Sequence, residues 1–313
     1  MQQFTNENRI LFNTSILFLV FNRLDSTKMV FAKIRSIKPP RLYIASDGPR
    51  DFNEKGKVLE IRKYLIDNID WKCEVKTLFS DKNKGCKNAV SSSISWFFNN
   101  EESGIILEDD CLPNTSFFIY CQELLDRYKN DDKVFMISGD GITSSKVGIA
   151  NDYCFTKYPM IWGWASWSRV WKKYDVNMTT WKDENLNFLD KVITKNDTKL
   201  FWIDIFNKIY NKEIDTWDYQ MVYLLLKNNA YCIIPKFNLI SNIGFGENAT
   251  HTSDKWSEKS NYITQEFNFP LNHQLVQQDQ IMVDKYFEKY EFGHKSFFIR
   301  TKFKIKKLLK KYL

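Results

Sequence analysis

Three consecutive acidic residues, Glu108, Asp109 and Asp110, directly follow the short apolar segment from Gly104 to Leu107. Adjacent carboxylates repel one another, so they must be solvated or neutralised by a cation. A divalent cation that bridges to phosphate oxygens would neutralise them, because Mg²⁺ and Mn²⁺ are held by few carboxylates together with substrate phosphates. The alternative is an acidic turn between a strand and a helix, in which Asp110 or a later residue caps the helix. The triplet alone leaves both interpretations open.

Apolar segments at regular intervals predict the strands that would position the triplet. Because they alternate with helix-like stretches, they predict a mainly parallel, doubly wound α/β sheet. The strands are predicted at 15–21, 41–46, 73–79 and 104–107, and the helices at 26–36, 54–68 and 85–98. Ligands of such sheets bind beyond the carboxyl ends of the strands. Arg23 and Asp47 follow the first two strands, so we expect both near the triplet.

The pattern changes after Asp110. Helices are predicted at 114–129, 185–195, 199–210 and 216–226, and strands at 134–138 and 231–235. Trp164, Trp167 and Trp171 are spaced by three and four residues, which favours core packing for most of them. No G-x-G-x-x-G fingerprint follows the first strand, and its absence argues against a dehydrogenase.

Short segments in a fixed order carry a resemblance to a known family. They are 20–23, Ser46-Asp47, 85–97, 106–110 with Pro113 and Phe117-Phe118, 134–139, 159–167, Trp217-Asp218 and 235–246. This ordered set resembles the GT-A class of glycosyltransferases, and within it the family of animal N-acetylglucosaminyltransferase I and its bacterial relatives. The resemblance covers roughly residues 14–250. It implies a GT-A (Rossmann-like), mixed and mainly parallel sheet flanked by helices.

The resemblance also implies roles for the residues at the strand ends. Asp110 would be the direct ligand of Mn²⁺ or Mg²⁺, and Asp109 would lie against the ribose. Glu108 would lie near the donor sugar or the water shell of the metal. Arg23 would face the diphosphate of a nucleotide-sugar donor, and Asp47 would face its base or ribose.

Four further residues are candidates for the donor site. Lys87 stands where the family places base-contacting residues, including a histidine, so the identity of the base stays open. Trp164 offers an aromatic face on which a sugar could stack, and Trp217 precedes the candidate base described next. His251 lies in the loop after the last predicted strand, where some GT-A enzymes place a metal- or phosphate-facing histidine; a lone loop histidine is also an ordinary surface residue.

Asp218 is the candidate catalytic base. Inverting sugar transfer needs a carboxylate that takes the proton from the acceptor hydroxyl. Trp217-Asp218 matches the Trp-Asp pair that holds the base in the family. The alternative is a helix N-cap, because an Asp before the apolar run 221–226 is an ordinary helix start. Asp215 is a neighbour that could be confused with it.

The basic charge of the chain is concentrated at its carboxyl end. Residues 295–313 contain eight Lys or Arg and no acid, so the rest of the chain, at +7 overall, is close to neutral. No nucleic-acid-binding motif accompanies this charge, and we expect no nucleic-acid partner. The apolar residues of the segment share one helical face, which is typical of an interfacial helix on anionic lipid. The alternative is a helix docked on the protein body.

These observations predict three regions: a nucleotide-sugar-binding half at 1–141, an acceptor-binding half at 142–270 and a basic amphipathic tail at 271–313. No secretory signal is visible and the apolar run Ile16 to Phe21 is too short to span a bilayer, so we expect a cytoplasmic protein at the inner face of the plasma membrane.

The predicted activity is that of an inverting, hexosyltransferase-like glycosyltransferase. It would move a sugar from a UDP donor to a glycan or lipid-linked acceptor in bacterial surface polysaccharide assembly. The alternatives are a nucleotidyltransferase of sugar phosphates and a non-enzymatic, membrane-active protein that acts through its tail. The first of these should carry a Gly-rich basic loop after the first strand, which the residues from Asn22 to Asp25 lack.

Overall fold

The computed structural model describes residues 11–184, 186–244, 261–273 and 277–292. The strands are β1 Ile16–Val20, β2 Arg41–Ser46, β3 Glu74–Phe79, β4 Ser103–Glu108, β5 Cys111–Pro113, β6 Val134–Ser138, β7 Tyr153–Thr156, β8 Trp164–Trp167, β9 Tyr231–Pro235 and β10 Ile240–Asn242. The helices are α1 Leu24–Ile37, α2 Phe52–Asp67, α3 Gly85–Phe98, α4 Thr115–Arg127, α5 Ile142–Val147, α6 Ser168–Trp171, α7 Asn187–Val192, α8 Asn196–Tyr210, α9 Tyr219–Lys227 and α10 Gln277–Tyr286. A 3₁₀ turn at Trp181–Asp183 and a π-helix at Phe287–Glu291 complete the description.

Eight strands form one twisted sheet in the order β3-β2-β1-β4-β8-β6-β9-β7. β1 pairs in parallel with both β2 and β4, and β2 pairs in parallel with β3. β8 runs antiparallel between β4 and β6, and β7 runs antiparallel at the edge beside β9. The sheet is therefore mixed and mainly parallel, and helices pack against it, as predicted.

Local sequence explains how the helices around the site begin and end. α2 begins after Asp51, whose carboxylate accepts the backbone N–H groups of Asn53 and Glu54. α1 ends at Lys38, which adopts a left-handed backbone conformation directly before Pro39 and Pro40 and so stops the helix. These caps fix where α1 ends and where α2 begins. The side chains of β1, which precedes α1, are all buried.

The Trp-rich stretch does not form the single helix that its spacing resembles. Trp164 and Trp167 lie on strand β8, and Trp171 ends the short helix α6. All three are buried, as the spacing favours. Because β8 inserts between β4 and β6, the predicted halves 1–141 and 142–270 share one continuous sheet.

A small second sheet joins β10 to the residues that follow the triplet. β10 pairs antiparallel with β5, with Asn242 opposite Cys111. The backbone N–H of Ile243 donates to the carbonyl of Asp110 at 2.9 Å. The segment after β9 therefore passes directly over the acidic triplet.

The described part of the predicted tail packs on the body. Val283 and Phe287 are fully buried, and the carboxylate of Asp284 accepts the hydroxyl of Thr156 at 2.7 Å and the backbone N–H of Lys157 at 3.2 Å. Residues 277–291 thus pack against the folded core, and the boundary of the tail at residue 271 stays a prediction. The basic segment 295–313 lies outside the described residues. No helix in the described ranges is long and apolar enough to cross a bilayer.

Candidate functional site

The ends of β1 and β4 lie side by side at one edge of the sheet, because the strands pair in parallel with Leu19 beside Glu108. α1 begins at Leu24, only a short turn after β1, which holds Arg23 at this edge. The triplet does not cap a helix. That role belongs to Asn114, whose side chain accepts the backbone N–H of Phe117 at the start of α4. Of the two forms of the capping alternative, Asp110 does not cap the helix, whereas a later residue, Asn114, does.

One guanidinium joins the two aspartates. Nη1 of Arg23 donates to Oδ2 of Asp110 at 2.8 Å, and Nη2 donates to Oδ1 of Asp109 in a closer contact. The backbone N–H of Phe21 donates to the second oxygen of Asp109 at 3.1 Å. Asp109 is buried with both oxygens paired, whereas Oδ1 of Asp110 has, among the residues that the structure describes, the thiol of Cys111 as its hydrogen-bond partner, at 3.6 Å.

Glu108 differs from both aspartates because it has no hydrogen-bond or ion-pair partner among the described residues. Burial, followed by repulsion from Asp110 and Asp109, raises the pKa of Glu108 above the usual range of a carboxyl. Burial also raises the pKa of Asp109 in spite of the nearby guanidinium. Burial opposes the charge on Arg23, but the two aspartates hold the pKa of its guanidinium above its normal value. The site thus carries more negative charge than Arg23 neutralises.

Asp218 occupies the N-cap position of α9, but its side chain makes no capping hydrogen bond. Its Oδ1 instead accepts the hydroxyl of Thr216 in a close contact. The N-cap alternative therefore explains why Asp218 stands at the start of α9. Among the described residues, however, its carboxylate accepts no backbone N–H of that helix. The charge of Asp218 makes a smaller contribution to the raised pKa of Glu108 than burial and the neighbouring aspartates do.

The thiol of Cys86 is affected by the charges of both Glu108 and Asp218. Cys86 lies in the first turn of α3, and burial, followed by the charges of Glu108, Asp218 and Asp215, raises the pKa of its thiol to about 12. A thiol with so high a pKa is a poor nucleophile at neutral pH. Asp215 is exposed and Asp218 is half-buried, so the two neighbours differ in how far they are withdrawn from solvent.

Gly244 closes over Asp110. A Cβ added at Gly244 would lie 2.1 Å from Oδ2 of Asp110 and 2.7 Å from its Cβ. The backbone N–H of Gly244 donates to the side chain of Asn242 at 2.9 Å, which fixes the turn. Only glycine fits this close approach. In the sequence, Gly244 was included only as part of the segment 235–246.

Asp47 lies at the carboxyl end of β2, as predicted, and its carboxylate is engaged by the backbone. It accepts the N–H of Gly48 at 2.8 Å and the N–H of Lys84 at 3.0 Å. Asp47 therefore holds the β3–α3 loop against the end of β2. The expected contact with a base or ribose stays a prediction. Lys87 follows this loop in the first turn of α3 and is half-buried, with no carboxylate partner in the described ranges.

Trp164 and Trp217 are core residues. Trp164 is 1% exposed and Trp217 is 4% exposed, and their rings stack on each other with centroids 6.0 Å apart. The predicted stacking of a sugar on Trp164 does not fit this burial. The two rings instead support the turn that carries Asp218, and the carbonyl of Trp217 accepts the hydroxyl of Tyr174 at 2.8 Å. His251 lies outside the described residues.

Phe21, Asn22, Arg50 and Glu54 form a cluster beside the site that the sequence did not indicate. The guanidinium of Arg50 lies over the ring of Phe21, 5.3 Å from its centroid, and pairs with Glu54. The amide of Asn22 donates to the same carboxylate at 2.8 Å. No sequence motif predicts these contacts, because they join the end of β1 to the start of α2, which are separated in the chain.

The residues present fit a divalent cation that arrives with a diphosphate. In the described part of the chain no three His, Cys, Asp or Glu side chains enclose a metal ion. Mg²⁺ and Mn²⁺ do not need such a cage, because one or two carboxylates and the phosphates of a substrate suffice. Asp110 supplies one carboxylate that is not fully buried, with a side chain that is 16% exposed.

Comparisons with known proteins give weak likenesses. No family model matches the sequence, and no curated protein matches it. Among solved structures, the mannosyltransferase PcManGT from Pyrobaculum calidifontis, in complex with GDP-Man and Mn²⁺, is similar over 69% of this chain and 71% of its own, with 10% identity and a TM-score of 0.39.

Two further structures are similar to the same degree. S. aureus TarS matches over 69% of this chain and 71% of its own, with 10% identity and a TM-score of 0.40. A UDP-glucose pyrophosphorylase in complex with UDP-glucose matches over 74% of this chain and 93% of its own, with 9% identity and a TM-score of 0.38. At these values the function of the chain rests on the residues of its own site.

Proposed function

We propose that this chain is a metal-dependent, inverting glycosyltransferase that uses a nucleoside-diphosphate sugar, with UDP as the expected nucleotide. The observation that carries the proposal is the ion-paired cluster of Arg23, Asp109 and Asp110 beside the carboxyl ends of β1 and β4. The proposal adds Asp218, whose carboxylate caps no helix and whose charge acts on Glu108. The cluster provides cationic and anionic groups for a metal-bound diphosphate, and Asp218 provides a base.

The residues divide the reaction between them. Asp110 would hold Mn²⁺ or Mg²⁺, which stabilises negative charge on the departing diphosphate. Arg23 would donate to diphosphate oxygens, and Glu108 would accept hydroxyls of the donor sugar. Asp218, oriented by the hydroxyl of Thr216, would take the proton of the acceptor hydroxyl as that oxygen attacks the anomeric carbon. The Trp164–Trp217 stack would keep the base in place.

The acceptor and the location are further parts of the proposal. We propose a glycan or a lipid-linked acceptor in bacterial surface polysaccharide assembly, with the basic segment 295–313 attaching the enzyme to the inner face of the plasma membrane. The support is the segregation of basic and apolar side chains in that segment, which is typical of an interfacial helix.

The nucleotidyltransferase alternative is less well supported. Such an enzyme should carry a Gly-rich, basic loop after the first strand. β1 ends at Val20 and α1 begins at Leu24, so the connection is too short for a loop that surrounds phosphates.

A comparison of two neighbouring variants tests the role of Asp218. Asp218→Asn should lower sugar transfer by about 10²–10⁴-fold, because the general base is lost. Its affinity for the donor should stay close to that of the wild type. The measurement is release of UDP from a panel of UDP-sugars with Mn²⁺ and an acceptor extract, together with calorimetric binding of UDP.

Asp215→Asn is the matched control, since the exposed Asp215 is separated from Asp218 by two residues and its loss should leave transfer nearly unchanged. Equal activity of Asp218→Asn and the wild type would remove Asp218 as the base. Loss of donor binding in Asp218→Asn would instead assign the residue to the donor pocket.

A further inference from the structure

Arg23 provides one positive charge that Asp109 and Asp110 share. Its guanidinium is a planar fork, and the fork engages one oxygen of Asp109 and one of Asp110 at the same time. The side chain of Arg23 is 25% exposed, against 3% for Asp109 and 16% for Asp110. The cation is thus the most accessible member of the cluster and closes its open side.

The remaining oxygens of the two aspartates are also restricted. The backbone N–H of Phe21 takes the second oxygen of Asp109. Gly244 packs against the Asp110 oxygen that Arg23 holds, and the other oxygen of Asp110 lies beside the Cys111 thiol. A divalent ion without a nucleotide would therefore meet two aspartates that are already paired with a guanidinium. Like charges at such short range are unfavourable where water is partly excluded.

We propose that Arg23 is an internal counter-ion that keeps the affinity of the site for a divalent metal low until a diphosphate arrives. The diphosphate oxygens would then accept the hydrogen bonds of the Arg23 guanidinium, and the carboxylate of Asp110 would become free to bind the metal. This inference rests on the proposed function, because it concerns the same donor site. It makes metal and nucleotide binding mutually dependent, so each raises the affinity for the other.

A purely structural ion pair would behave differently. If Arg23 only joins the ends of β1 and β4, its removal should lower stability and leave the metal affinity of the folded protein unchanged. The counter-ion model predicts two effects of opposite sign: tighter metal binding without nucleotide and weaker nucleotide binding with metal. No general loss of structure produces that combination.

The test measures Mn²⁺ binding by electron paramagnetic resonance, with and without UDP, and UDP binding by calorimetry at saturating Mn²⁺. For Arg23→Gln we expect Mn²⁺ alone to bind about tenfold more tightly than to the wild type, and UDP to bind about tenfold more weakly, within the usual range of coupling between sites. Arg35→Gln is the matched control. It removes another arginine that forms a two-nitrogen ion pair, with Asp70, in an exposed position away from the site.

Arg23→Lys keeps the proposal testable if Arg23→Gln does not fold. Lysine retains the charge but cannot bridge two carboxylates as a planar fork. We therefore expect the coupling between Mn²⁺ and UDP in Arg23→Lys to be several-fold smaller than in the wild type. Wild-type coupling in this variant, or unchanged Mn²⁺ affinity in folded Arg23→Gln, would overturn the inference.

The two levels of the proposal fail in different ways. If the wild type binds Mn²⁺ neither alone nor with UDP, the donor site itself is rejected. If the wild type binds both together and Asp110→Asn does not, but the Arg23 variants show unaltered coupling, only the counter-ion role is rejected.

Discussion

At the scale of single residues, Asp109 and Asp110 have different freedom although they are adjacent. Arg23 and the backbone of Phe21 take up both oxygens of Asp109, so this residue is fixed in the interior. Removing one partner of such a buried pair leaves an uncompensated charge, which typically costs about 3–5 kcal/mol. Asp110 shares Arg23, and among the described residues its other oxygen has the thiol of Cys111 beside it at 3.6 Å and no N–H donor. The difference explains why the last acid of the triplet is the best candidate ligand.

Gly244→Ala tests whether the close cover over Asp110 matters. The new Cβ would lie 2.1 Å from a carboxylate oxygen that Arg23 also holds, so either the aspartate or the loop must move. Forced repacking of this kind costs about 1–3 kcal/mol. We expect the affinity for UDP with Mn²⁺ to fall about tenfold, a change of 1.4 kcal/mol in binding free energy, by isothermal titration calorimetry.

Gly56→Ala is the matched control for that substitution. A Cβ at Gly56, in the middle of α2, meets nothing within 4 Å, so this change should be neutral or stabilise the helix by about 0.5–1 kcal/mol. Wild-type affinity in Gly244→Ala would show that the loop moves freely away from Asp110.

Sequence reasoning located Arg23, Asp47 and the triplet because strand ends are visible in an apolar pattern. It could not give the exposure of Trp164, because that depends on the insertion of an antiparallel strand between β4 and β6. The helix-like spacing of Trp164, Trp167 and Trp171 correctly predicted that they are buried, although Trp164 and Trp167 lie on a strand. Nor could it show that Asp47 is engaged by the β3–α3 loop, since that contact joins residues far apart in the chain.

At the scale of elements, α10 is attached to β7 and the following turn by buried charges. Lys157 lies 3.8 Å from Asp284 and 3.6 Å from Glu288, and Tyr158 donates to Glu288 at 3.2 Å. Burial, only partly offset by Lys157, raises the pKa of Asp284 to about 6. The composition of this region suggested a basic tail, but buried acids determine how its first half packs.

Asp284 should make the stability of the protein depend on pH. Its carboxyl has a higher pKa when folded than when unfolded, so its contribution to the free energy of unfolding is present below about pH 4. That contribution is lost as the pH rises through about 6, roughly 2–3 kcal/mol in total. Asp284→Asn should abolish this part of the pH dependence. Urea denaturation at about pH 4 and pH 7 measures the difference between wild type and variant.

Asp126→Asn provides the control, because the Asp126 side chain is 80% exposed on α4 and, within the described ranges, pairs with Lys129 alone. The same stability difference between wild type and Asp284→Asn at both pH values would contradict the assignment.

At the scale of the whole molecule, one sheet carries the acidic triplet and, on β8, the tryptophan that packs beneath the turn of Asp218. β8 connects the parallel strands that hold the triplet to the strands of the second half, and the Trp164–Trp217 stack transmits this order to the turn of Asp218. The prediction of a mixed, mainly parallel sheet is confirmed, whereas the boundary between the halves at residue 141 stays a prediction. Local patterns identify elements, but the joining of halves depends on long-range pairing.

Removal of residues 295–313 tests the membrane part of the proposal. Basic residues near an anionic surface contribute about 1 kcal/mol each, so the deletion should reduce binding to vesicles containing phosphatidylserine by at least about tenfold. Binding of UDP with Mn²⁺ should be retained. Sedimentation with neutral phosphatidylcholine vesicles is the control. Unchanged binding to anionic vesicles would exclude the segment as the attachment site, and a lytic activity that disappears with it would favour the membrane-active alternative.

The most direct test of the central claim is a thermal-shift screen of nucleotide sugars with and without Mn²⁺. A ligand that binds only the folded state at about 100 times its Kd stabilises the protein by about 2.7 kcal/mol, which raises Tm measurably. We predict that a nucleoside-diphosphate sugar raises the Tm of the wild type only when Mn²⁺ or Mg²⁺ is present, and that Asp110→Asn shows no such shift. The proposed metal-dependent donor site is contradicted if no nucleotide sugar raises the Tm of the wild type under any metal condition, or if Asp110→Asn responds as the wild type does.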